Sequence, residues 1–225
     1  MSVSAELWKI ATAPRETNPE RVPAAKSDVT FDPVLRDPLA LLVRQIFLPG
    51  TTFKRRHILF LAADEQTRAA DLTKNAALAL AELSRSKVAI VGDAAMPASR
   101  KPPKSTTDSM FWRTQSLALS DRVSRLPAWL FCDSVTQQDP DQRRPPAEFR
   151  SVFEYFLFAA SPESSDLPVF TGLSDAAVLL VTANRTRRDS ALHAKELLVR
   201  YKVPLLGVVL IDRVLEIPDA VYRRL

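Results

Sequence analysis

The chain has 225 residues, 46% apolar and 25% charged, enough for one α/β domain with a substantial core, and its four glycines fall well below the roughly 7% of average usage, which excludes most glycine-dependent site designs. One cysteine, Cys132 in the apolar run AWLFC, excludes a disulfide framework and reads as a buried thiol, while two histidines without a second nitrogen or sulfur ligand in register exclude a zinc site of familiar type. The formal net charge of +5 comes from basic residues dispersed along the chain, which reads as a solvated basic surface and not as a nucleic-acid face.

Residues 1–32 are rich in Pro, Glu, Lys and Ser, with Pro14, Pro19 and Pro23 breaking any helix, and are expected to form a flexible arm ahead of a domain over 33–225. The start, MSVSAELWKIATAPRE, lacks the hydrophobic core of a signal peptide, and no run approaches the roughly 20 apolar residues that span a bilayer, so the expected location is cytoplasmic. Between Pro38 and Pro49, LALLVRQIFL is apolar around most of the helix circumference and predicts a buried helix. HILFLA, 57–62, predicts a strand. A polar turn then leads into an alanine- and leucine-rich helix over 69–83, and KVAIVGD, 87–93, predicts a second buried strand.

Residues 94–109, AAMPASRKPPKSTTDS, predict an exposed loop, followed by a short helix over 110–123 and a strand, AWLFCDS, over 128–134. A second proline-rich loop, QQDPDQRRPP, leads into a helix over 146–152, the apolar strand FEYFLFAAS over 153–161 and a short helix near 170–175. The last third predicts a strand over 176–183, an amphipathic helix in TRRDSALHAKELLVRY and a strand, LLGVVLI, over 205–211. Continuous apolar strands separated by amphipathic helices predict an α/β fold: a mostly parallel sheet flanked by helices on both faces, with right-handed crossovers.

The order of these elements, the helix entering the first strand and the ending GVVLIDRVLEIPDAVYRRL resemble the cytoplasmic ATPase domain of bacterial tyrosine kinases. These are relatives of the MinD and ParA ATPases that work with polysaccharide co-polymerases in capsule and exopolysaccharide export. The resemblance covers roughly residues 33–225 and implies a MinD/ParA-like P-loop NTPase fold. It also implies where the nucleotide site would lie. Aligning the family's AANLALALA-type helix on Asn75–Ala81 sets its GEGKST loop on Gln66, Thr67, Arg68, Ala69, Ala70 and Asp71, with the phosphate-binding lysine at Ala69. Glycines let successive N–H groups converge on phosphate, and the lysine neutralises its charge. Here neither residue type is present, so the fold is expected without a functional P-loop.

The family's second-strand signature, of the type IDADLRRP, falls on VGDAAMP, which puts its carboxylate positions at Gly92 and Ala94, with Asp93 displaced by one. A displacement of one residue turns a strand side chain to the opposite face. The third-strand aspartate falls on Ala159, and the base-recognising asparagine of GVVLN on Ile211. Of the E-x-x-R-x-x-R assembly motif only Arg44 remains, Pro38 and Leu41 standing at the other two positions, and in place of a C-terminal tyrosine cluster Tyr222 stands alone.

The resemblance with these departures predicts a pseudoenzyme with no catalytic residues, no metal and no cofactor. Its expected role is that of a cytoplasmic adaptor for an inner-membrane, Wzc-like polysaccharide co-polymerase in exopolysaccharide or holdfast-type adhesin export, held at the inner membrane through that partner. Arg44, Tyr222, Arg223 and Arg224 are the expected contact residues, and self-association is left open. Two alternatives stand beside it: a nucleotide-binding or phosphotransfer enzyme with Arg68, Lys74 and Arg187 around the phosphates, and a ParA/MinD-like positioning factor.

Overall fold

The structure, a computed structural model, describes residues 33–47, 55–92, 116–131 and 144–212. Its strands are β1 (His57–Ala62), β2 (Val88–Gly92), β3 (Leu117–Ala118), β4 (Val123–Leu126), β5 (Tyr155–Ala160), β6 (Ala176–Thr182) and β7 (Leu205–Ile211). Its helices are α1 (Pro33–Phe47), α2 (Ala69–Ser84), α3 (Ala147–Arg150), α4 (Leu167–Leu173) and α5 (Arg188–Arg200), with a 3₁₀ turn at Ala128–Phe131. The strands form one sheet in the order β3-β4-β2-β5-β1-β6-β7, parallel except for the β3–β4 pair.

The strands at the centre are apolar at almost every position because both faces are covered. On one face Ile58, Phe60, Val88, Ile90, Leu157, Val178 and Leu180 pack against Val43, Ile46 and Phe47 of α1 and Ala76, Ala77 and Leu80 of α2. Residues one step along the same strands, among them Leu59, Leu61, Ala89, Val91, Phe156, Phe158 and Leu179, meet Phe149 of α3, Phe170 of α4 and Ala194 and Leu198 of α5. The alternation of strand side chains thus divides one sheet between two cores. Small side chains on α2 let that helix lie close to the sheet, and its end at Ser84 is marked by Arg85 in the left-handed conformation, φ 56°.

Three expectations are corrected. The helix expected over 110–123 is, where described, a ribbon: β3 and β4 pair antiparallel around a turn in which Ser120 Oγ accepts the N–H of Val123 at 3.1 Å. A serine that captures nearby backbone donors favours a turn over a helix. The strand expected over 128–134 is a 3₁₀ turn over Ala128–Phe131, and the strand beside β2 is β4 instead. Pro127 cannot donate to a ladder, so the chain leaves the sheet there and Phe131 plugs the core from outside it. Residue Cys132 lies outside the described residues, as does the arm over 1–32.

The third correction concerns α1, which begins at Pro33 and carries Pro38 inside it, forgoing one backbone hydrogen bond, and which buries one face only. Leu39, Val43, Ile46 and Phe47 are buried, whereas Leu41 is 59% exposed and Arg44 points to solvent. β7 is an edge strand whose Val208 and Leu210 are exposed.

Phe131 is fully buried, with its ring 5.0 Å from that of Phe149 and 6.2–6.3 Å from those of Phe156 and Phe158. Phe131→Ala should therefore lower the stability measured by denaturant unfolding by about 3–5 kcal/mol, while Leu192→Ala on the exposed side of α5 should change it by less than about 0.5 kcal/mol. Equal effects would show that the 3₁₀ segment does not seal the core.

Candidate functional site

The carboxyl ends of β5, β1, β6 and β7 open on one edge of the sheet, where α/β folds place their ligands. The loop from β1 to α2 stands in the middle of that edge. Its geometry is set by Asp64. Oδ1 of Asp64 accepts the Thr67 N–H at 2.9 Å and the Thr67 hydroxyl at 2.8 Å, and the Asp64 carbonyl accepts the same N–H at 3.2 Å. The N–H of Ala69 turns back to the Thr67 carbonyl at 2.8 Å.

The loop is also fastened to β6. Thr67 Oγ1 lies 3.0 Å from Thr182 Oγ1, both residues being buried, and Thr186 Oγ1 accepts the N–H of Thr182 at 3.0 Å. Ala63 donates its N–H to the Leu180 carbonyl at 2.9 Å. Desolvation pushes the Asp64 carboxyl up, but hydrogen bonds from Thr186 and Thr67 and from the backbone at Thr67 and Gln66 outweigh it, so its pKa lies below the ordinary 3.8. The carboxylate is an anion supplied by the chain itself, taking the donors that a phosphate loop directs at its ligand.

Two concavities flank this loop. A shallow cleft of about 300 Å³ is walled by Ala62, Ala69, Ala70, Ala159 and Ala160, with Glu65, Thr67, Arg68, Asp71 and Ser161 completing its lining. A groove of about 1120 Å³ runs between α1, the start of α2 and β7, lined by Leu39, Leu42, Leu72, Val209 and Ile211 together with Gln66, Arg68, Lys74 and Arg185.

The sequence matches no family model and no curated relative. Solved structures do share its architecture. The kinase domain of Escherichia coli tyrosine kinase ETK superposes with a TM-score of 0.57 at 10% identity, over 81% of this chain and 78% of that one. The chimerical protein CapA2B2 gives 0.56 at 16% identity over 80% and 84%, and the VpsO kinase domain 0.52 at 18% identity over 82% and 99%. The chain has the fold of a bacterial tyrosine-kinase domain.

Within that fold, the residues singled out in the sequence separate into groups. Ala69, Ala70 and Ala159 come together in the alanine-walled cleft, and Gln66, Arg68 and Ile211 in the adjoining groove. Gly92 on β2 pairs with Ala159 on β5, and a Cβ at Gly92 would stand 2.6 Å from the Ala159 carbonyl oxygen. No carboxylate could be carried there without moving the backbone. The side chain of Arg68 is 84% exposed and lies 3.9 Å from the Asp71 carboxylate, a solvated pair on the first turn of α2. Arg187 lines neither concavity, and Arg44 lies on the exposed side of α1. Positions Ala94, Tyr222, Arg223 and Arg224 lie outside the described residues.

Sequence reasoning passed over the Asp64–Thr67–Thr182–Thr186 cluster. Its local half had a signal, since aspartate three residues before a threonine at a helix entrance is the spacing of a side-chain-closed turn. Because the folded-state pKa of Asp64 is depressed, its contribution to stability is complete above 3.8 and is lost as pH falls through the lower folded value. Asp64→Ala should cost about 1–2 kcal/mol at pH 7 in urea unfolding, and the gap to the parent should narrow as the pH is taken below 3.8. A gap that is constant with pH would mean that the carboxylate charge plays no part in holding the loop.

Proposed function

We infer that this protein is a non-catalytic relative of the tyrosine kinases, a pseudokinase that works by binding. Its partner on this reading is the cytoplasmic portion of an inner-membrane polysaccharide co-polymerase, in exopolysaccharide or holdfast-type adhesin export. Among the described residues no helix is long and apolar enough to cross a membrane, so membrane association would come through the partner.

The observation that carries the reading is the loop of β1 and α2. A phosphate loop works by leaving its amides unbonded until phosphate arrives, and by supplying a lysine. Here the Thr67 and Ala69 amides have acceptors within the loop, the chain offers alanine at 69, and the closeness of Gly92 to Ala159 leaves no room for a metal-side carboxylate on β2. With 10–18% identity to the kinase structures, the resemblance carries the fold across and the residues argue against the turnover.

What remains for function is surface. Arg44 is exposed on α1, a helix that also presents Leu41 to solvent, and Arg and apolar groups in one patch are the composition of interface centres. The second reading, an enzyme with an altered nucleotide site, draws on one fact: Arg68 and Lys74 line the same large groove and could face an anionic group in it.

Titration of the full chain with Mg-ATP separates the two. The pseudokinase reading expects no saturation below millimolar nucleotide, and a micromolar dissociation constant, about 8 kcal/mol of binding, would overturn it. For the partner, Arg44→Ala combined with Arg223→Ala should weaken co-purification with a Wzc-like co-polymerase while Arg68→Ala leaves it intact. An unchanged complex in the double variant, with polymer export lost in Arg68→Ala, would favour the enzyme.

A further inference from the structure

At the opposite end of the sheet from the kinase-like edge, the amino ends of β1 and β5 open onto a separate cavity of about 390 Å³. Three arginines line it: Arg56 from the approach to β1, Arg144 from the segment before α3, and Arg150 at the end of α3. His57, the first residue of β1, and Asp175, the residue before β6, lie between them, and Phe153 and Phe156 form a buried aromatic base. Three guanidinium groups from three parts of the chain thus converge on one hollow far from the loop of Asp64.

Two carboxylates also line the cavity, one of them paired with Arg56. Asp175 Oδ2 accepts the N–H groups of Arg56 and His57, each at 2.9 Å. Glu154 accepts the Ser86 hydroxyl at 2.6 Å, and its second oxygen is 3.8 Å from Arg56 Nη2. Arg150 is held in place by Nε, which donates to the Pro145 carbonyl at 2.8 Å and so fixes the plane of its guanidinium.

His57 closes one wall of the hollow: its buried Nδ1 lies 3.5 Å from Asp175 Oδ2, so the ring faces that carboxylate.

We propose that this cavity is a binding site for a small phosphate-bearing ligand, held by the guanidinium groups of Arg56, Arg144 and Arg150. Phosphate fits better than a lone carboxylate because it offers three oxygens to three guanidinium groups, one from the start of β1 and two that flank α3. The cavity falls in the size range of small-molecule sites and is concave with an aromatic base, so the phosphate would carry an organic group and not belong to a flat protein surface. The proposal is independent of the pseudokinase reading, because it uses none of the residues of the nucleotide edge.

The test is calorimetric titration of the full chain with phenyl phosphate and, separately, with inorganic phosphate, at low ionic strength. Saturation by phenyl phosphate below about 1 mM is expected, with weaker binding of inorganic phosphate. Arg150→Ala and Arg144→Ala, both at exposed positions that leave the fold intact, should each weaken it about ten-fold or more, and Arg68→Ala at the other edge should not. Hydrogen exchange should slow at residues 56–57 on binding. Equal affinity for both probes would assign the site to free phosphate, still within the proposal. Absence of saturation by either probe, or binding that survives both cavity variants, would overturn it.

Discussion

The hydrogen bonds from the Thr67 backbone and hydroxyl to the Asp64 carboxylate are the constraint on which the functional reading rests. A loop that joins a buried strand to a helix at the open edge of a parallel sheet has amides to satisfy, and it can satisfy them with a ligand or from within. This chain does so from within at Thr67 and Ala69. The arrangement needs no glycine, because the amides close on a neighbouring side chain and need not splay around a phosphate. It needs no lysine either, because the negative charge is a single carboxylate met by hydroxyl and amide donors.

The sheet makes this loop stable. β1 lies between β5 and β6 with every side chain buried, so the point from which the loop departs is fixed on both sides. Thr67 and Thr182 then join the loop to the end of β6 in a buried contact, where an unpaired hydroxyl would be costly. The loop is thus tied to β6 at its base through Ala63 and at its middle through Thr67. The same sheet leaves β7 with Val208 and Leu210 in solvent, and α1 leaves Leu41 and Arg44 there.

Much of this was legible in the chain. The strand His57–Ala62, the helix from Ala69 and the strand Leu205–Ile211 follow directly from their hydrophobic patterns. The region over 117–131 was misread, because AWLF is as apolar as a strand and only the proline ahead of it and the serine turn before that reveal the ribbon and the 3₁₀ segment. The alanines of the cleft could be placed by alignment of the helix. The link of Thr67 to Thr182 and the convergence of Arg56, Arg144 and Arg150 could not, since each joins segments about a hundred residues apart and depends on strand order that no local pattern encodes.

The central claim is that the Thr67 and Ala69 amides are already satisfied, and amide hydrogen exchange at those two residues tests it most directly. The account predicts slow exchange at both in the free protein, no further slowing on addition of Mg-ATP, and acceleration at Thr67 in Asp64→Ala. Fast exchange in the free protein, with protection appearing only when Mg-ATP is added, would show a loop waiting for phosphate and would contradict it.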